Sequence, residues 1–116
     1  MHAAIVEDDK KAAEQMAEHL RRYAEETGES IVSSTFDTAL SFLDGYPAIY
    51  DVVFMDIELP DLNGIEAARR LRELDGDVFL ILVTNMAKYA INGYEVNALD
   101  YFLKPVFYSD LKMRME

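Results

Sequence analysis

Two stretches limit what this chain can fold into more than any others. Val52-Val53-Phe54-Met55 and Val78-Phe79-Leu80-Ile81-Leu82-Val83 are apolar at every position. A strand with one face in water alternates apolar and polar residues. Runs that do not alternate suit strands covered on both faces, as in a parallel sheet flanked by helices.

The segments around these runs alternate in type. Ala3-Ala4-Ile5-Val6 predicts a first strand. Residues 10–26 carry Ala13, Met16, Leu20 and Tyr23 at helical spacing, which predicts an amphipathic helix stopped by Thr27-Gly28. Ile31-Val32 with Ser33-Ser34 predicts a weaker second strand. Asp37 is expected to cap a short helix carrying Leu40 and Leu43 and ending at Gly45. Asn63 is expected to cap a helix with Ile65, Ala68 and Leu71 on one face, ended by Asp75-Gly76. Residues 86–92 predict a fourth helix ended near Gly93, and residues 98–103 a fifth strand. Ser109 is expected to cap a last helix of about two turns. The pattern is (βα)5, an α/β fold with parallel strands and right-handed crossovers.

The 116 residues fit one domain. Cysteine is absent, which excludes disulfides and thiolate metal sites and makes the cytoplasm the expected compartment. No apolar run approaches the roughly 18 residues of a membrane span, so no membrane is expected as a partner. The formal net charge of −11 argues against nucleic-acid contact by this segment, because phosphate contacts need a basic face. The short last helix is expected to continue in a longer natural protein.

Function in a doubly wound sheet gathers at the carboxyl ends of the strands. There the sequence places Glu7, Asp8 and Asp9 after the first strand and Asp56 after the third. Thr84 follows the fourth, and Lys104 with Pro105 the fifth. Each has an ordinary explanation alone. The acidic triplet can cap a helix, Thr84 can be a strand-end hydroxyl, and Lys104 can be solvated. Asp56 directly follows four apolar residues and is expected to be partly buried, where a carboxylate needs a partner. Glu7, Asp8 and Asp56 together carry more negative charge than Lys104 neutralises. A hard divalent cation with oxygen ligands fits the shortfall, Mg²⁺ (or Mn²⁺) being the natural candidate. His2 and His19 are expected to be surface residues rather than a zinc pair. A carboxylate beside such a cation can be a nucleophile toward a phosphoryl group. In that reading Asp56 attacks, while Lys104 and the Thr84 hydroxyl hold phosphoryl oxygens.

From about Ala3 to Leu111 the chain resembles the response regulator receiver family. The resemblance rests on Ile5-Val6-Glu7-Asp8-Asp9, on residues 56–64 (Asp-Ile-Glu-Leu-Pro-Asp-Leu-Asn-Gly), on Val83-Thr84 and on residues 100–105 (Asp-Tyr-Phe-Leu-Lys-Pro). It implies a flavodoxin-like receiver fold with strand order 2-1-3-4-5. It implies that Asp56 accepts a phosphoryl group from a sensor histidine kinase, and that the chain is a signalling switch rather than an enzyme acting on an outside substrate. It further implies the backbone carbonyl of Glu58 as a metal ligand, Pro60, Gly64 and Pro105 as structural positions, and a cis Lys104–Pro105 bond. Thr84 and Tyr101 are the implied switch pair. They would bias a surface formed by the helix at 86–92, the fifth strand and the last helix, with a phosphorylation-dependent homodimer as one outcome. Residues 94–101 resemble receivers joined to LytTR-type DNA-binding domains, which implies an output domain after residues 1–116 that controls transcription. Asn85 stands where many receivers have a small residue. Two other readings remain open on sequence: a degenerate receiver acting only as an interaction module, and a phosphohydrolase with an aspartyl nucleophile. The latter places its nucleophile after the first strand with a second Asp two residues later, whereas here the first strand ends in adjacent acids.

Overall fold

The structure is a computed structural model that describes residues 1–85 and 100–115. In chain order the elements are β1 (His2–Val6), α1 (Lys10–Thr27), β2 (Val32–Phe36), α2 (Ala39–Leu43), β3 (Val52–Asp56), α3 (Gly64–Leu74), β4 (Phe79–Thr84), β5 (Asp100–Leu103) and α4 (Tyr108–Met115). The five strands form one sheet in the order β2-β1-β3-β4-β5, with every neighbouring pair parallel. The helix expected over residues 86–92 and the start of the expected fifth strand lie outside the described residues.

The two apolar runs behave as their composition requires. All of β3 is buried, and β4 is buried from Leu80 onward. Their side chains divide by period two between two cores. Val53, Met55, Leu80 and Leu82 join Ile65, Ala68 and Leu71 of α3 and Phe42 of α2. Val52, Phe54, Ile81 and Val83 join Ala13, Met16, Leu20 and Tyr23 of α1 and Leu111 of α4. The α1 stripe is the one its spacing predicts, and each large side chain on it contributes roughly 1.5–3 kcal/mol by burial. Asp9 caps the helix by accepting from Lys11 N, and Gly28 ends it in the left-handed conformation at φ 75°.

Local readings fail where long-range contacts overrule them. The second strand runs Val32–Phe36, not 31–34, because its register on β1 pairs Val32 with His2 and Phe36 with Val6. Thr38, not Asp37, caps α2 and accepts from Ser41 N. Leu40 is exposed there, and Phe42 fills the core instead. Ser109 does not cap the last helix. α4 begins at Tyr108, and the Asp110 carboxylate accepts from Phe107 N at 3.0 Å, the reaching-back half of a capping box. His19 is half-buried: its Nε2 lies 2.8 Å from the carbonyl of Val106. A carbonyl only accepts, so Nε2 carries the proton.

Candidate functional site

The strand order puts β1 beside β3 at the centre of the sheet, where the crossovers reverse direction and a crevice opens beyond the strand ends. The acidic triplet after β1 divides its roles there. Asp9 is spent on capping α1, and its own N–H donates to Glu7 Oε2 at 3.2 Å. Glu7 is pinned by its backbone N–H, which donates to Phe36 O at 2.9 Å, and its side chain is buried. Asp8 stays exposed.

Asp56 ends β3 and is 3% exposed, as its apolar neighbours imply. Its Oδ1 accepts from Glu58 N at 3.1 Å, and its Oδ2 lies 3.3 Å from Lys104 Nζ. Lys104 is held at its backbone, where N–H donates to Thr84 O at 2.8 Å, and its ammonium reaches Glu7 Oε1 at 2.6 Å. The following Lys104–Pro105 bond is cis. Thr84 is fully buried at the end of β4. The structure thus brings Glu7, Asp8, Asp56, Thr84 and Lys104 to one rim. Tyr101 lies one strand position from buried Phe102, on the opposite face of β5, and is 37% exposed.

The loop after Asp56 explains the Pro60 and Gly64 positions differently. Pro60 is exposed in the turn. Gly64 is required by packing: a Cβ there would lie 2.3 Å from Asp56 O and 2.6 Å from Ile57 Cα. Only glycine lets α3 start directly against the backbone that carries Asp56. Its N–H donates to Ile57 O at 2.8 Å, and Asn63 caps the helix by accepting from Ile65 N, as expected.

Electrostatics set this rim apart. Burial first, and then a hydrogen bond shared with Asp56, push the Glu7 carboxyl up from 4.5 to about 7. Lys104 opposes that rise without cancelling it. Burial pulls the Lys104 ammonium down, but its hydrogen bond to Glu7 and the field of Asp56 outweigh that and leave it raised. One lysine is thus shared by two buried carboxylates, and the Glu7 carboxyl stays raised despite it.

One carboxylate oxygen each from Glu7, Asp8 and Asp56 lie within 4.8 Å of one another. Every side-chain donor in this set is a hard oxygen, and the two buried carboxylates have a single lysine between them. The group fits Mg²⁺ or Mn²⁺ and offers nothing to a thiophilic metal. The rim opens into a cleft of about 620 Å³ running between α1 and the segment after β5, with Asn85 at its lining beside Asp56 and with Met16, His19 and Val106 further along. Sequence reasoning missed two residues near this site, His19 and Asp61. Both act on backbone atoms at least 21 residues away, and no local pattern signals such contacts.

A doubly wound five-stranded parallel sheet whose strand ends carry an acidic cluster, a buried threonine and a lysine defines the receiver class of signalling domain. The model of the response regulator receiver domain matches residues 3–116, and the chain belongs to that family. It is similar to the sensory transduction protein LytT of Enterococcus faecalis, 31% identical over 105 residues covering 90% of this chain and 42% of LytT. It is also similar to the transcriptional regulatory protein CusR of Escherichia coli, 32% identical over an alignment of 121 residues covering 99% of this chain and 49% of CusR. Among solved structures, the response regulator DrrB, a Thermotoga maritima OmpR/PhoB homologue, superposes with a TM-score of 0.83 at 30% identity, covering 98% of this chain and 50% of that one. The chain therefore spans about half the length of the relatives it matches. Among the described residues no helix is long and apolar enough to cross a membrane.

Proposed function

We propose that this chain is the receiver module of a two-component system and that Asp56 is its phosphoacceptor. The observation that carries the reading is the convergence of Glu7, Asp8 and Asp56 within 4.8 Å, with Lys104 bridging Glu7 and Asp56. An Asp56 Oδ attacks phosphorus, the P–N bond of a phosphohistidine on a sensor kinase breaks, and the freed imidazole takes a proton. Glu7, Asp8, Asp56 and the Glu58 carbonyl would hold Mg²⁺ or Mn²⁺. That ion, when bound, supplies the charge neutralisation that phosphoryl transfer needs. Lys104 exchanges its carboxylate partner for a phosphoryl oxygen, and the Thr84 hydroxyl donates to another. The β4 and β5 ends then shift together, because Thr84 O already accepts from Lys104 N. Tyr101 follows as the second switch residue.

The module works inside the cytoplasm of its cell as a switch, with no substrate beyond its own aspartate and a self-directed hydrolysis of its own phosphate. Residues 1–116 form the receiver, and an output domain of LytTR type follows it, binds DNA and regulates transcription. The names LytT and CusR and the half-length match support this division. A phosphorylation-dependent homodimer forms through the face of β5 and the helix expected over residues 86–92, and Tyr101 and Leu103 of β5 are exposed.

The test is intact-mass spectrometry after incubation with acetyl phosphate and Mg²⁺. One added phosphoryl group is expected, absent in Asp56→Asn and absent without the metal. Labelling of the Asp56→Asn protein at another residue would refute the assignment.

A further inference from the structure

The loop from Ile57 to Asn63 carries the Glu58 carbonyl, and its ends are tied to the sheet and to α3. Ile57 N donates to Val83 O at 3.0 Å, Glu58 N to Asp56 Oδ1 at 3.1 Å, and Gly64 N to Ile57 O at 2.8 Å. Its inner side is anchored by Leu59 and Leu62, both packed on the α2–α3 core. Apolar contacts fix depth but leave rotation of a peptide plane loosely determined, since dispersion carries little direction.

The outer side has a directional anchor. Asp61 Oδ1 accepts from Ala39 N at 3.1 Å and Oδ2 from Leu40 N at 2.9 Å. Those are the first two amides of α2, groups that no turn of the helix itself can satisfy. Thr38 meets the third by accepting from Ser41 N at 3.1 Å. The start of α2 is therefore capped twice, once locally and once by a residue 21 to 22 positions later. The hydrogen bond from Leu40 N, and then that from Ala39 N, hold the Asp61 carboxyl below the usual carboxylate range, so it is charged at neutral pH. A local cap would have served the helix alone. The second cap joins α2 to the loop three residues after Glu58.

We infer that Asp61 is a positioning residue for the phosphoacceptor site: its two-pronged bond to the start of α2 fixes the loop that presents the Glu58 carbonyl to the metal. The inference rests on the receiver reading of the site. Residues that orient metal ligands from outside the ligand set commonly change affinity tenfold or more when removed. Asp61 touches none of the ligands, so its effect runs through the loop backbone.

The experiment measures Mg²⁺ affinity by isothermal titration calorimetry, together with unfolding midpoints, for four proteins: the unaltered chain, Asp61→Ala, Asp61→Asn and Thr38→Val. Asp61→Ala is expected to weaken Mg²⁺ binding about tenfold. Asp61→Asn keeps one acceptor and recovers part of that loss. Thr38→Val removes the local cap of the same helix and is expected to lower the unfolding midpoint while leaving Mg²⁺ affinity within about twofold. Repeating the titrations at about 0.5 M KCl separates geometry from charge, because screening removes a through-space effect of the Asp61 carboxylate. Persistence of the loss in salt supports positioning. Equal affinities for Asp61→Ala and Thr38→Val overturn it, as does a loss that vanishes in salt. A chain that binds no Mg²⁺ before any substitution overturns the receiver reading itself, a result distinct from either.

Discussion

The two ends of the sheet treat charge in opposite ways. At the amino end, polar groups settle with near neighbours and remain in water. The Met1 ammonium donates to Ser30 O, His2 N donates to Asp51 Oδ2 at 2.7 Å, and Asp51 N returns a bond to His2 O. Asp51 is exposed there. At the carboxyl end, Glu7 and Asp56 are buried side by side and share one lysine. The same strands supply both ends, so the sheet itself does not require buried acids. The amino end shows how little a carboxylate costs when it stays solvated. The carboxyl end accepts an electrostatic penalty that folding alone gives no reason for, and such penalties collect at functional sites.

The contrast can be broken most sharply at Asp56. Asp56→Asn is expected to abolish phosphoryl uptake and yet to raise the unfolding midpoint of the metal-free protein. Removing one of two like buried charges relieves about 1 kcal/mol, or roughly 4 °C for a domain of this size. Thermal denaturation monitored by circular dichroism checks this, and a lower midpoint would contradict the idea that the rim is strained electrostatically.

Gly64→Ala should be the most destabilising single methyl addition near the site, because the new Cβ meets backbone rather than a yielding side chain. A loss of about 3 kcal/mol is expected in urea unfolding, in the upper part of the range for overpacking. A neutral result would mean that α3 can slide away from Asp56.

Glu7 makes the rim sensitive to pH in a defined direction. Its folded pKa of about 7 lies above the ordinary 4.5. The stability linked to its proton is complete below about 4.5 and is lost as pH rises through 7. The metal-free protein should therefore melt at a lower temperature at pH 8 than at pH 5, and Glu7→Gln should flatten that slope. Mg²⁺ should oppose the loss at pH 8, raising the midpoint in proportion to the logarithm of its concentration once the site is filled. Scanning calorimetry at the two pH values, with and without the ion, reads both effects.

Asp51→Asn, at the other end, should produce the smallest change. Less than about 1 kcal/mol is expected for an exposed hydrogen bond, with no change in Mg²⁺ affinity. A change comparable to that of a rim variant would erase the distinction between the ends.

Much of this was legible in the sequence for physical reasons. Side chains repeating every three or four residues can only share one helix face, so the α1 stripe of Ala13, Met16, Leu20 and Tyr23 needed no tertiary information. Unbroken apolar runs are buried over most of their length, Phe79 being the exposed exception, so β3 and β4 were fixed in type and a carboxylate placed directly after β3 falls at the strand end. β2 was misplaced because its exposed, weakly apolar sequence takes its register from β1 rather than from itself. The α2 cap was assigned to Asp37, since Asp and Thr are both good caps and only the path of the chain chooses between them.

By itself, then, the sequence determined which elements form among the described residues and which polar residues reach the strand ends, because periodicity and burial are local consequences of composition. The tertiary structure alone decided how those residues share charge. That Lys104 sits closer to Glu7 than to Asp56, that the Glu7 carboxyl is pushed up, and that Asp61 reaches back to α2 all depend on distances across the sheet and between loops. Electrostatic and hydrogen-bond energies vary steeply with such distances, and no spacing along the chain encodes them.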